Sequence, residues 1–197
     1  MKILIACEYS GIVRDAFSRN GHDAWSCDLL PTESELTKQE NKHIQGNVLE
    51  ILNDGWDMMI AHPPCTHLSV SGQRWFTEGK KDYSLQREAI RFVEALWEAN
   101  IEKIVIENPV SILSTRSKLG RATQTIQPYQ FGEPVNKRTC LWLKNLHLLK
   151  PTKLIPKDER KHLIWLTPPS KDRGKIRSKT FPGIANAMAE QWGGELL

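Results

Sequence analysis

Residues 2–21 read KILIACEYSGIVRDAFSRNG, and their reading decides the fold. Lys2 to Cys7 form a short, mostly aliphatic run, the composition of a buried strand. Apolar residues then recur as Ile12, Val13, Ala16 and Phe17, a spacing that puts them on one face of a helix, and Asn20-Gly21 supplies the stop. CEYSG (7–11) joins the two. A small residue and a glycine there let a ligand approach the backbone, while the helix N-terminus offers N–H groups with no partner inside the helix. The single glycine matches neither G-x-G-x-x-G nor a Walker loop, so a plain strand-to-helix turn is an equal reading.

The pattern continues outward. HDAWSCDLL reads as a second strand ending near Asp28, WDMMIAHPP as a third, and KIVIENP as a fourth that Pro109 stops. SLQREAIRFVEALWEAN places Leu85, Ala89, Phe92, Val93, Leu96 and Trp97 on one helical face. NVLEILND reads as a short helix or turn, and PTESELTKQENKHIQG as a polar loop. TCLWLKNL reads as a late strand in a terminal hairpin, and FPGIANAMAEQWGGEL as a final helix. Residues 148–180 show no periodicity. Alternating strands and helices predict an α/β fold: a mostly parallel sheet with helices on both faces. A single domain over residues 1–197 is expected.

Composition narrows the class. The chain has 197 residues, enough to bury a core of its own. It holds no apolar run of about 18 residues, which excludes a membrane-spanning helix of ordinary length. The N-terminal apolar run ends at once in Glu8 and reads as a strand, not a signal peptide. Cys7, Cys27, Cys65 and Cys140 are widely spaced with no C-x-x-C pair, so neither a metal site nor a disulfide scaffold is expected. Reduced thiols in the cytoplasm are the expected state. The net charge of +4 is mild, but residues 137–179 carry 13 Lys and Arg against Asp158, Glu159 and Asp172. Such a segment suits a nucleic-acid backbone, and a solvated surface fits it equally.

In open α/β sheets ligands bind beyond the carboxyl ends of the strands. Four features fall there: CEYSG, Asp28, HPPC (62–65) and ENP (107–109). Asp28 can accept hydrogen bonds from both ribose hydroxyls, though a solvated acid is the plainer reading. Free cysteines are usually buried and inert, but Cys65 stands behind two prolines that fix φ and donate no N–H. That suits a presented nucleophile, provided something makes the thiolate. Glu107, before Asn-Pro, is a candidate acid. A thiol and a carboxyl at two strand ends suit addition to a heterocycle, the thiolate adding to the ring and the carboxyl protonating a ring nitrogen.

CEYSG, HPPCTHLSVSG, IENP, QPYQFGEPVNKRTCLWL and TFPGIANAMA, in that order, resemble the ordered motifs of the DNA cytosine-5 methyltransferases. They are more closely similar to the short phage- and prophage-type members. The resemblance covers most of the chain. It implies a Rossmann-like class I fold that binds S-adenosyl-L-methionine (SAM), acts on DNA and works in the cytoplasm of a bacterial host. Glu8, Tyr9, Ser10 and Gly11 would form the cofactor loop, Asp28 would hold the ribose, and Asn47 would accept from the adenine amino group. Pro63 and Asn186 would complete the cofactor pocket. Cys65 would add to cytosine C6, and Glu107, with Asn108 beside it, would contact N3 and the exocyclic amine. Lys137 and Arg138 fall in VNKRT, where the family has Gln-x-Arg-x-Arg. In the direct register Lys137 and Thr139 replace the two arginines, and Arg138 serves only after a one-residue slip. Val13 replaces a second glycine of the first motif.

Full-length members carry a long target-recognition domain, for which roughly residues 140–180 stand here. That implies low sequence specificity, a protein partner or homodimer, or a substrate other than long duplex DNA. PPSKDRGKIRS within this segment is a candidate flexible phosphate-binding loop. A duplex target would have to be flipped out of the stack. Three readings follow: C5 methylation of cytosine in DNA; thiol-dependent C5 modification of a free pyrimidine nucleotide; and a degenerate methyltransferase fold serving as a DNA- or protein-binding phage factor.

Overall fold

Period-two alternation in the central strands divides the core into two layers. The computed structural model describes residues 1–161 and 173–194. In β1 (Lys2–Ala6), Ile3 and Ile5 face one side and Leu4 and Ala6 the other. In β4 (Met58–Ala61), Met58 and Ile60 join the first side, Met59 and Ala61 the second. β5 (Lys103–Pro109) splits in the same way, Val105 against Ile104 and Ile106. Strands apolar on both faces must be covered twice, as parallel sheets are. Phe17 of α1 (Ile12–Arg19) covers one face with Ile184, Met188 and Trp192 of the C-terminal helix Pro182–Trp192. Val93 and Leu96 of the helix Tyr83–Trp97 cover the other, beside Trp142. Each such side chain contributes roughly 1.5–3 kcal/mol on burial.

The remaining strands are β2 (Asp23–Asp28), β3 (His43–Gln45), β6 (Gln124–Ile126) and β7 (Thr139–Lys144). The remaining helices are α2 (Glu35–Gln39), α3 (Arg74–Thr77), α5 (Leu113–Arg116) and α6 (Arg173–Ser178), so that Tyr83–Trp97 is α4 and Pro182–Trp192 is α7. Seven strands form one sheet in the order β3-β2-β1-β4-β5-β7-β6. β1 to β5 run parallel, and β7 is antiparallel to both β5 and β6. The order reverses between β1 and β4, where an open α/β sheet leaves a crevice. This is the Rossmann-like, mostly parallel fold with helices on both faces that the alternation predicts.

Several local expectations are corrected. PTESELTKQENKHIQG is not all loop: Ser34 accepts the Thr37 N–H at 3.1 Å and starts α2, and His43–Gln45 adds an edge strand to β2. A single-turn helix and a three-residue strand hold too few apolar residues to show a period. β6 was likewise not foreseen, and it is the partner that makes β7 part of a hairpin. Leu85 is exposed while Gln86 is buried, because α4 begins at the Asp82 cap, whose carboxylate accepts the Ser84 N–H at 2.7 Å. The segment 148–180 contains a 3-10 turn at Lys157–Glu159 as well as α6. Of PPSKDRGKIRS, residues 168–172 lie outside the described residues, and the rest is α6.

Pro109 does not end β5 before Glu107. Parallel pairing with β4 stops at Ala61↔Ile106. Antiparallel pairing with β7 continues through Glu107↔Leu141 and Asn108↔Cys140 to Pro109↔Thr139. β5 therefore overhangs β4 by three residues. Glu107 stands beyond the end of β4 on a backbone still held by β7.

Candidate active site

β1 ends at Cys7, whose φ of 59° turns the chain out of the sheet. Glu8 follows and is buried. One of its oxygens accepts the Val13 N–H at 2.8 Å and the Ser10 hydroxyl at 3.1 Å, and the other accepts the Arg14 N–H at 3.1 Å. Glu8 thereby caps the open N-terminus of α1, where a negative charge is favoured. Burial still pushes its pKa above the ordinary carboxylate range, against the pull of His62 and these donors. Gly11 has φ 74°, and a Cβ there would meet the Ser34 Cβ at 2.4 Å. Its missing side chain makes room for the start of α2. The Tyr9 hydroxyl donates to the Lys175 carbonyl at 3.1 Å, and Lys179 pairs with Glu33 at 2.5 Å. These contacts draw α6 across the turn after β1.

Beyond the ends of β1, β2 and β3 lies a cavity of about 350 Å³. Cys7, Asp28, Asn47, Val48, Pro64 and Phe92 are among the residues that line it. Asp28 and Asn47 therefore share one space, as expected of residues holding two parts of one ligand. One Asp28 oxygen accepts the Leu30 N–H at 2.9 Å, and the Asn47 carbonyl accepts the Leu49 N–H at 3.2 Å. Burial and the Asp28 charge push the Cys7 thiol up to about 12, and burial first pushes Cys27 to about 11, so both stay protonated near neutrality. Pro64, not the buried Pro63, reaches this cavity. Ser10 and Asn186 line a different cleft, of about 440 Å³, with Asp15, Ser34 and Pro182.

Cys65 follows in a pinned loop. Its carbonyl accepts the Leu68 N–H at 3.0 Å and the Ser69 N–H at 2.9 Å. Upstream, the Asn108 amide donates to the Pro63 carbonyl at 2.9 Å, so the overhanging end of β5 fastens the loop from behind. Asn108 is 1% exposed, and its own Oδ1 is buried with no hydrogen-bond partner among the described residues. Such an orphan acceptor costs roughly 1–3 kcal/mol and invites a donor.

The Glu107 charge acts on Cys65. Burial raises the Cys65 pKa, the Glu107 charge raises it further, and Lys137 and Arg177 oppose. Burial also works to raise Glu107, but the His62 hydrogen bond, the Lys137 charge and the His62 charge outweigh it and hold the carboxyl below its ordinary range. His62 Nδ1 lies 3.0 Å from Glu107 Oε2, and an ionised carboxylate can only accept, so Nδ1 carries the proton. At rest the pair is thiol plus carboxylate. Lys137 reaches both members. Arg138 is exposed and acts on Cys140 instead, so in VNKRT it is Lys137, in the direct register, that faces the pair. The Thr139 hydroxyl donates to the Lys137 carbonyl at 3.3 Å. His62 was quoted in HPPC without a role. Its signal in the sequence was a histidine placed directly after a wholly apolar strand.

A mostly parallel sheet with this strand order, and a cavity beside its switch point, define the class as a Rossmann-like α/β fold. Comparison with solved structures agrees. A candidate DNA modification methyltransferase encoded within a prophage (E. coli) superposes with a TM-score of 0.50 at 16% identity, over 78% of this chain and 51% of that one. The chain thus spans about half the length of that protein. No family profile and no curated protein matches the sequence. Among the described residues, no helix is long and apolar enough to cross a membrane.

Proposed function

We propose that the protein transfers a methyl group from SAM to C5 of cytosine in DNA, through a covalent adduct at Cys65. The observation that carries this reading is the pairing of Cys65 with Glu107 across the ends of β4 and β5, with Lys137 acting on both. The cavity beside them fits the cofactor: it is of small-molecule size, mainly apolar, with one carboxylate at its rim. Asp28 would hold the ribose hydroxyls, with one oxygen left for them, and the Asn47 carbonyl would meet the adenine amino group. SAM, when bound, supplies an electrophilic methyl group.

The chain's own residues do the rest. Cys65, as thiolate, forms a bond to C6, the C5=C6 electron pair moves into C4=C5, the C4=N3 pair moves onto N3, and N3 takes a proton that Glu107, a carboxylate at rest, relays from solvent. C5 becomes nucleophilic. Asn108 keeps the Cys65 loop in register through Pro63. Lys137 favours the thiolate that attack requires. After alkylation the C5 proton leaves to solvent, its electron pair forms C5=C6, the C6–S bond breaks to give the Cys65 thiolate, and the N3 proton returns through Glu107.

The experiment is methylation-sensitive sequencing of DNA from cells expressing the wild type or Cys65→Ala. Wild-type cells should gain 5-methylcytosine and Cys65→Ala cells none. Equal methylation in both would overturn the reading. Between β7 and α7 only residues 145–181 stand in place of a recognition domain, which favours as second reading a free pyrimidine nucleotide. Labelled methyl transfer to dCTP but not to DNA would select it.

A further inference from the structure

Residues from three neighbouring strands come together around one imidazole: Glu8 after β1, His62 after β4 and Glu107 in β5. The His62 backbone N–H donates to the Ala6 carbonyl at 2.9 Å, extending the β1–β4 ladder and fixing the ring's origin. The side chain is 8% exposed and that of Glu107 12%. Nδ1 bonds Glu107 at 3.0 Å, while Nε2 is buried with no partner among the described residues. Glu8, itself buried, feels the His62 charge from the other side. A buried imidazole between two carboxylates, bonded to one and with a nitrogen in reserve, is more than packing. VNKRT brings to Glu107 only the charge of Lys137 and no hydrogen bond.

We infer that His62 is a positioning residue that fixes Glu107 through Nδ1–H and governs when that carboxyl carries a proton. The inference deepens the proposed cytosine chemistry and rests on it for the catalytic step. There Glu107, held by Nδ1–H, carries one proton taken from solvent. Its O–H breaks as N3–H forms and Cys65 Sγ bonds C6, and the thiol proton leaves to solvent, so protons balance. Glu8, Glu107, Lys137, Cys65 and Arg177 are the charged and titratable groups around this exchange.

The test reads Cys65 directly and needs no substrate. His62→Ala removes the hydrogen bond that keeps Glu107 charged, leaving burial to favour its neutral form. Without the neighbouring negative charge, the Cys65 thiol ionises more easily. Iodoacetamide labelling of Cys65 at pH 7.5, followed by peptide mass spectrometry, should rise about tenfold, the effect of one pKa unit. Glu107→Gln should give the same rise, and His62→Ala/Glu107→Gln should add nothing to it. His62→Asn keeps an N–H donor and should label like the wild type. Labelling unchanged in His62→Ala, or rises that add in the double variant, would overturn the inference. If the labelling pattern holds but no methyl transfer to DNA is found, the cytosine reading fails and the coupling of His62 to Glu107 stands.

Discussion

Cys7 and Cys27 show how far a thiol's surroundings set its behaviour. Both line the cavity that Asp28 overlooks, and burial with a nearby carboxylate lifts them to about 12 and about 11. An unfolded thiol releases its proton near its ordinary value of 9. Between that pH and the folded value the unfolded state binds fewer protons, so stability must fall as pH rises. Denaturant melts at pH 8 and pH 10.5 should show this loss. The loss should shrink in Cys27→Ser, whose hydroxyl can replace the Sγ contact with the Gly46 carbonyl at 3.5 Å. An unchanged loss in that variant would mean that other groups carry the alkaline limb. Cys65 differs from them. The same burial acts on it, but Lys137 and Arg177 pull the other way. In the proposed chemistry those two cations would favour the Cys65 thiolate, and sequence position alone does not display them.

Among the elements, the turn into α1 carries the clearest consequence. In the sequence Gly11 suits backbone approach by a ligand. In the fold it faces Ser34, which caps α2 and donates its hydroxyl to Asp15 at 2.6 Å. Gly11→Ala would place a Cβ 2.4 Å from the Ser34 Cβ at φ 74°. Overpacking of about 1–3 kcal/mol and about 1–2 kcal/mol for the left-handed backbone should appear as lost stability in a thermal or denaturant melt. Ser34→Gly should recover part of it, since it removes the clash but also the cap. A Gly11→Ala protein of wild-type stability that fails only to bind SAM would restore the ligand-approach reading. Legibility follows element length. α4 and the central strands stand out because each spans enough residues to show its period. α2, β3 and β6 hold five or fewer residues each and exist because a neighbour pairs with or caps them.

For the whole molecule the proposed DNA substrate raises the question of which basic groups could meet it. At the described start of the basic segment the chain is anchored. Arg160 lies 3.7 Å over the Tyr129 ring, and the Lys161 N–H donates to the Pro134 carbonyl at 2.8 Å while the Asn136 N–H donates to the Lys161 carbonyl at 3.1 Å. This fixes Lys157 and Lys161 near VNKRT, and thus on the side of the site. If DNA runs there, each phosphate neutralised contributes about 0.9 to the slope of log K against log salt. Lys157→Glu with Lys161→Glu should therefore weaken DNA binding and flatten that slope by about 1–2 units, measured by fluorescence anisotropy across a salt series. An unaltered slope would place the backbone elsewhere.

Local sequence carries the alternation of strands and helices, the two-faced burial of the sheet, and the placing of Cys65 and Asp28 at strand ends, whereas Glu107, expected at a strand end, lies within β5. These follow from local periodicity and turn chemistry, which a stretch of chain carries wherever it is placed. Tertiary structure alone decided that β5 outruns β4 because β7 continues to hold it, that His62 bonds a glutamate 45 residues away, and that Lys137 and not Arg138 looks toward the thiol. Those outcomes depend on the register of distant strands and on how low the local dielectric makes each charge count, quantities that no short window of residues contains.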